Sequence, residues 1–212
     1  AIKLGKAAVR EALGRSGVRP DAVGHLVYGT VVHDAQAPNI AREVGLGTLP
    51  KTVPAYTVSR ACTTANQAIA DACQLIEVGQ ADVVVAGGAD SLSHVPIVAS
   101  RRLSKALVEA SKAKSLRARL SPFRSVRPRD LIPMAPAIAE PSTGETMGAA
   151  AERMAKENGI PREEQDAWAL RSHLLAAAGT ADGRLPAEIT PIYLPPGVEP
   201  TVAADNGLRP DT

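Results

Sequence analysis

Short β-branched runs alternate with stretches of helical periodicity along the first half of the chain, and this alternation restricts the fold more than any other feature. Residues 25–32, 52–58 and 82–86 read as strands, rich in Val, Thr and Tyr. Residues 2–13 place Leu4, Ala8, Ala12 and Leu13 on one face and Lys3, Lys6 and Arg10 mostly on the other, an amphipathic helix ending near Gly14 and Gly17. Residues 39–44 suit a second helix. A third follows where Ala65, Ala68, Ile69, Ala72, Leu75 and Ile76 recur at helical spacing until Gly79. The gaps between strands are too long for hairpins, so the economical topology is a doubly wound α/β sheet with parallel strands. Pro54 removes a backbone donor and places the strand over 51–58 at the sheet edge.

The second of these strands runs into a lone cysteine just before a helix: Val58-Ser59-Arg60-Ala61-Cys62-Thr63-Thr64-Ala65-Asn66-Gln67-Ala68. A thiol at a strand-to-helix turn sits at the positive end of the helix dipole, which favours the nucleophilic thiolate. On spacing alone, Cys62 reads equally well as a buried structural thiol. Cys73 falls eleven residues further on. On one continuous helix that is about 16 Å of rise, beyond disulfide reach, so both read as free thiols of a reducing compartment.

Composition excludes several function classes. A formal net charge of +2 and five aromatic residues, Tyr28, Tyr56, Phe123, Trp168 and Tyr193, offer no stacking platform for single-stranded nucleic acid. His25, His33, His94 and His173 lack metal-ligand spacing, so no metal site is expected, although His33 is the least settled of the four. Gly87-Gly88 reads as a turn after a strand and does not complete a dinucleotide fingerprint. No apolar run approaches the roughly 20 residues of a spanning helix, and Ala1-Ile2-Lys3-Leu4-Gly5 does not read as a signal peptide, so a cytoplasmic protein is the expectation.

Ser59-Arg60-Ala61-Cys62-Thr63-Thr64-Ala65-Asn66-Gln67-Ala68, followed by Val83-Val84-Val85-Ala86-Gly87-Gly88-Ala89-Asp90-Ser91-Leu92-Ser93, resembles the nucleophile motif of thiolases and the strand and Gly-Gly turn after it. Ala37-Pro38-Asn39-Ile40-Ala41-Arg42-Glu43, Arg127-Pro128-Arg129-Asp130-Leu131-Ile132-Pro133 and Thr143-Gly144-Glu145-Thr146-Met147-Gly148 are most similar to the thiolase subunit of fatty-acid-oxidation trifunctional complexes. The resemblance implies a thiolase-like doubly wound mixed sheet with an inserted, mainly helical loop domain. Its expected organisation is an N-terminal core over 1–93, the loop domain over 94–184, and over 185–212 a last strand near 188–194 followed by a linker.

The resemblance also implies chemistry. Cys62 would attack a 3-ketoacyl-CoA in fatty-acid β-oxidation, release acetyl-CoA and carry the shortened acyl group until a second CoA removes it. CoA is then a substrate, and no cofactor is expected. Met147 would line the acyl pocket, with Thr146 standing where many thiolases carry a histidine. By its residues alone, Met147 reads as helix core. The family's first strand precedes a helix like that of residues 2–13, and its Gly-His-Pro and Cys-x-Gly motifs belong to a C-terminal half; neither motif occurs in these 212 residues. An inactive fragment serving as an interaction module, and a ketosynthase of the same fold, therefore stand as alternatives. The edge strand is expected to pair across a two-fold axis in a homodimer.

Between Arg101 and Arg129 ten basic residues face a single acid, Glu109. With Leu103, Ala106, Leu107 and Ala110 as an apolar stripe, this reads as a basic amphipathic helix. A solvated face, CoA phosphates, an anionic membrane surface and a hydratase/dehydrogenase subunit are its expected alternatives. Thr143 is expected to cap a helix running to Gly159, and Trp168 and Leu175 of the next helix are expected to pack inside the loop domain.

Overall fold

The computed structural model describes residues 1–134, 138–193 and 202–209. They fall into two compact units, one of residues 1–2 with 21–137, the other of residues 3–20 with those from 138 onward. The expected insertion of 94–184 is thus shared between the two.

In the first unit β1 (His25–Gly29) lies between β2 (Ala55–Val58) and β3 (Val84–Gly88), and both ladders are parallel. β1 is central because it is apolar on both faces, as a strand covered from two sides must be. Leu26 and Val27 point to opposite faces, and each is 0% exposed. Helix α2 (Ile40–Gly45) covers the Leu26 face, where a Cβ on Gly45 would stand 3.4 Å from Leu26 Cδ2. Helix α3 (Thr64–Glu77) covers the other face, where a Cβ on Gly29 would come 2.5 Å from Thr64 Cγ2. The sheet is therefore wound on both sides. Right-handed crossovers require this when the chain passes from β1 out to β2 and then back across β1 to β3. All three described strands are parallel; an antiparallel strand, which a mixed sheet needs, is not among the described residues.

Among the described strands β2 lies at the edge, as Pro54 implies, beginning immediately after that proline, whose carbonyl still accepts the Leu26 N–H at 3.0 Å. Two strand ends differ from expectation, each for a tertiary reason. β1 stops at Gly29, not Val32, because the Val31 and Val32 N–H groups turn to the Asp90 carboxylate. Gly87-Gly88, expected as a turn, closes β3, since Gly88 pairs with Gly29 in the ladder.

Helix α3 buries Thr64, Ala68 and Ala72 at four-residue spacing, small side chains that let it lie close to the sheet. Ile69, Ile76 and Val78 stay exposed. The basic segment forms α4 (Arg101–Lys112) and α5 (Leu116–Leu120), capped by Ser100 and Ser115, whose side chains accept the Leu103 and Ala118 N–H groups. Its ten basic side chains are exposed. Only Arg102 approaches an acid outside its own helix among the described ion pairs, Asp130 at 3.9 Å.

The second unit contains helix α1 (Ile2–Ser16) from its second residue, Lys3, onward and the helices α6 (Met147–Glu157), α7 (Arg162–Ala181) and α8 (Arg184–Glu188). Arg15 on α1 donates to the carbonyls of Ala187 and Ile189, which ties α1 to the end of α8. Helix α6 is capped by Thr146, not Thr143. The Thr143 hydroxyl instead donates to Glu140 and accepts the Glu145 N–H, holding the preceding turn. The strand expected over 188–194 does not form among the described residues. Residues 184–188 are helical after left-handed Gly183, and Ile192 makes only an isolated antiparallel bridge to Val202; Leu194 lies outside the described residues. Trp168 and Leu175 are exposed, not packed inside, and Arg171 lies over the Trp168 ring at 5.0 Å.

Candidate active site

The carboxyl ends of the three parallel strands carry the groups able to do chemistry, as open α/β sheets commonly arrange them. From the end of β2 the chain turns through Ser59 to Thr64 and enters α3. Ala61 has φ +46°, a left-handed conformation that costs a non-glycine residue about 1–2 kcal/mol. Thr64 holds the turn closed from within. Its side chain accepts the Arg60 N–H at 2.7 Å and donates to the Ala61 carbonyl at 2.6 Å, and it is only 5% exposed. Thr63 donates to the Arg60 carbonyl at 2.9 Å, so it braces the turn and no side chain caps α3. Cys62 projects from this braced turn, exposed, immediately before the N-cap residue Thr63. Cys73 lies in the third turn of α3 and is exposed as well.

The turn is extended along α3 by polar contacts. Arg60 donates to Gln67 at 2.6 Å, and Gln67 donates to Asp71 at 2.5 Å. Asp71 also lies 3.5 Å from the Tyr56 hydroxyl on β2, so the helix and the strand leading into the turn share one carboxylate.

Beside the turn, the exits of β1 and β3 are joined by Asp90. Its Oδ1 accepts from the Thr30 hydroxyl at 2.7 Å and from the Val32 N–H at 2.7 Å, and the Val31 N–H donates at 3.0 Å. Burial opposes ionisation of this carboxyl and is the largest single effect. The hydrogen bonds from Thr30, Val32 and Val31, with His33 nearby, together outweigh it and hold the group below the ordinary aspartate range. Burial, helped by the Asp90 charge, pushes the neighbouring Tyr28 phenol up to about 12. The Tyr28 hydroxyl is buried without a hydrogen-bond partner among the described residues.

A recess of about 350 Å³ opens at the same end of the sheet, lined by Val32, His33, Ser91 and His94 among others. His94 Nδ1 lies 3.4 Å from the Ser91 hydroxyl. Cys62 is not among its lining residues. Among the described residues no group of three His, Cys, Asp or Glu side chains is arranged to hold a metal ion.

Of the residues singled out from sequence, Cys62 belongs to the first unit and Met147 to the second. Met147 is the first residue of α6 and is 57% exposed, so it is not core within its own unit. Sequence reasoning passed over Thr30, Thr64 and Asp90. The available signal was an aspartate two residues after a strand-ending Gly-Gly, with no Lys or Arg near it in sequence to explain its charge.

The first unit is thus a parallel, doubly wound α/β sheet that presents an exposed cysteine at a braced strand-to-helix turn. The sequence matches the family described as Thiolase, N-terminal domain, over residues 1–212, and the chain belongs to the thiolase family. It is 49% identical over 213 aligned positions to 3-ketoacyl-CoA thiolases of Yersinia pestis (strain Pestoides F) and Yersinia pseudotuberculosis serotype O:1b (strain IP 31758), covering 100% of this chain and 49% of each relative. It superposes on the crystal structure of the Bacillus anthracis acetyl-CoA acetyltransferase with a TM-score of 0.79 at 28% identity, over 99% of this chain and 50% of that one. The fold is that of thiolases. The chain spans about half the length of the curated relatives it matches.

Proposed function

We propose that the protein carrying this chain is an acyl-CoA:acetyl-CoA C-acyltransferase, acting on 3-ketoacyl-CoA, and that Cys62 is its nucleophile. The observation that carries this reading is the exposed Cys62 thiol on a turn whose backbone is strained at Ala61 and braced by Thr64. A nucleophile held this way meets a carbonyl without first having to be ordered.

In the cleavage direction the Cys62 thiolate adds to the 3-keto carbon, and the Cys62 N–H is the oxyanion donor this chain offers. The bond between C2 and C3 breaks as the carbonyl re-forms, its electron pair leaving on the acetyl-CoA carbon, which takes up a proton. The shortened acyl group remains as a thioester on Cys62. The thiol of a second CoA, giving up its proton, then attacks that thioester and releases Cys62. The acid and base for these proton transfers are not supplied by any histidine or second cysteine of the turn, where Cys62 is the one titratable sulfur.

The finer expectations rest on supporting features. A role in fatty-acid β-oxidation is part of this proposal, supported by the likeness to relatives named 3-ketoacyl-CoA thiolase. The edge position of β2 supports pairing with a second copy in a homodimer. Exposed Leu107, Val108, Leu116 and Leu120 among the basic side chains of 101–129 support contact with a hydratase/dehydrogenase subunit or an anionic membrane surface. No helix among the described residues is long and apolar enough to cross a membrane, and a cytoplasmic location is proposed with that in view.

The test is to incubate the full-length protein with a 3-ketoacyl-CoA, quench, and read the mass of the peptide containing Cys62. An acyl adduct there, lost in Cys62→Ala together with turnover, is expected. Turnover that survives Cys62→Ala overturns the assignment.

A further inference from the structure

We propose that Asp90 is a positioning residue for Cys62, acting through Thr30. The inference rests on the reading of Cys62 as nucleophile. Asp90 follows β3, Thr30 follows β1 and Cys62 follows β2, so the three lie beyond the same ends of three adjacent parallel strands.

Thr30 is the junction between them. It is 2% exposed, its hydroxyl donates to Asp90 Oδ1 at 2.7 Å, and its N–H donates to the Val58 carbonyl at 3.2 Å. Val58 is the last residue of β2, two positions before Arg60, where the cysteine turn begins. A second line leaves Thr30 through Gly29. The Gly29 backbone is overlaid so closely by the Thr64 methyl group that a Cβ there would clash at 2.5 Å, and Thr64 is the residue that closes the turn on Arg60 and Ala61. Both lines end on residues that bracket Cys62.

The clamp lies outside the fold's main cohesion. The β1–β3 ladder is complete from His25↔Val84 to Gly29↔Gly88 without it. What Asp90 adds is an acceptor for three donors just past the ladder: the Thr30 hydroxyl and the Val31 and Val32 N–H groups. With that acceptor gone, the loop has to re-pair these donors elsewhere, and Thr30 moves with it. A nucleophile displaced by a fraction of an ångström to 1 Å loses reactivity steeply, on the order of a hundredfold at the upper end.

The experiment compares wild-type full-length protein with Asp90→Asn, Asp90→Glu and Thr30→Val. The primary readout is the ratio of Cys62 to Cys73 alkylation by iodoacetamide, measured peptide by peptide. Both thiols are exposed on or beside one helix, so loss of folding drives the ratio toward unity while a local shift lowers Cys62 alone. Asp90→Asn leaves one uncharged acceptor oxygen for three donors and sets an NH2 beside them, so it is expected to lower the Cys62 alkylation rate by about tenfold and to lower kcat with KM within about twofold, the pattern of a misplaced reacting group. Asp90→Glu, which restores a charged, acceptor-only carboxylate, is expected to recover most of the loss. Should Asp90→Asn fail to fold, Thr30→Val, which keeps the side-chain shape and deletes the hydroxyl that reaches Asp90 and the Val32 carbonyl, decides by the same ratio. A lowered melting temperature with unchanged Cys62 alkylation and unchanged kcat overturns the proposal. Wild-type protein that shows neither turnover nor an acyl adduct overturns the enzymatic reading instead, and the alkylation ratio still decides the role of Asp90.

Discussion

Gly88 lies beside Gly29 across the β1–β3 ladder so closely that a Cβ on Gly88 would stand 2.4 Å from the Gly29 carbonyl oxygen. The obstacle is backbone, which cannot swing aside as a side chain can. Gly88→Ala is expected to destabilise the protein by about 1–3 kcal/mol, the usual range for overpacking. Gly87→Ala, with nothing within 4 Å of the added atom, is the matched control and should cost far less. Denaturant melts of the two variants check this.

Ala61 tests the strain in the cysteine turn. Its φ of +46° suits glycine, so Ala61→Gly removes a steric cost of about 1–2 kcal/mol and adds about 0.4–1 kcal/mol of unfolded-state entropy. The net expectation is a stability equal to wild type or higher. Ala61→Val, β-branched at a left-handed position, should fall well below it. If Ala61→Gly is stable yet slower in turnover, the rigidity of the turn serves placement of Cys62, which parallel thermal melts and kcat measurements resolve.

Cys62 and Cys73 are both exposed, so access does not separate them. A difference in alkylation rate therefore reports chemical environment: Cys62 stands at the start of α3, and Cys73 lies within it. Iodoacetamide is expected to label Cys62 much faster, and an acyl-CoA is expected to protect Cys62 selectively. Peptide mapping over a time course gives both rates in one sample.

Acid should release the Asp90 clamp. Its carboxyl is held below the ordinary aspartate range in the folded protein, so between the folded and unfolded values the unfolded chain binds more protons. The stability it contributes is fully present above the unfolded value of about 3.9 and is lost as pH falls through the lower folded value. Tyr28 and His33 are the other titratable groups interacting with Asp90, and Tyr28 stays neutral through this window. The melting temperature of wild type is expected to exceed that of Asp90→Asn by a margin that is constant from pH 6 to 5 and shrinks below about pH 4. A margin that does not change with pH would show that Asp90 acts through shape and not through charge.

Features written in nearest-neighbour chemistry were legible before any tertiary contact was known. The periodicity of Leu4, Ala8 and Leu13 announced α1, Ala65, Ala68 and Ala72 announced α3, and Pro54 marked β2 as an edge. Cys62 could be placed at a strand-to-helix turn because a β-branched run and an alanine-rich helical run meet there. What sequence could not supply were the decisions made by residues distant along the chain. β1 ends at Gly29 because Asp90, sixty residues away from Thr30, captures the donors that would have continued the strand. Gly88 belongs to β3 because it lies against Gly29, fifty-nine residues away, whose backbone leaves space for no side chain. Local propensity depends on a residue and its immediate neighbours, whereas the ends of strands and the bracing of the cysteine turn depend on which buried donors find acceptors, and only the folded chain brings those together.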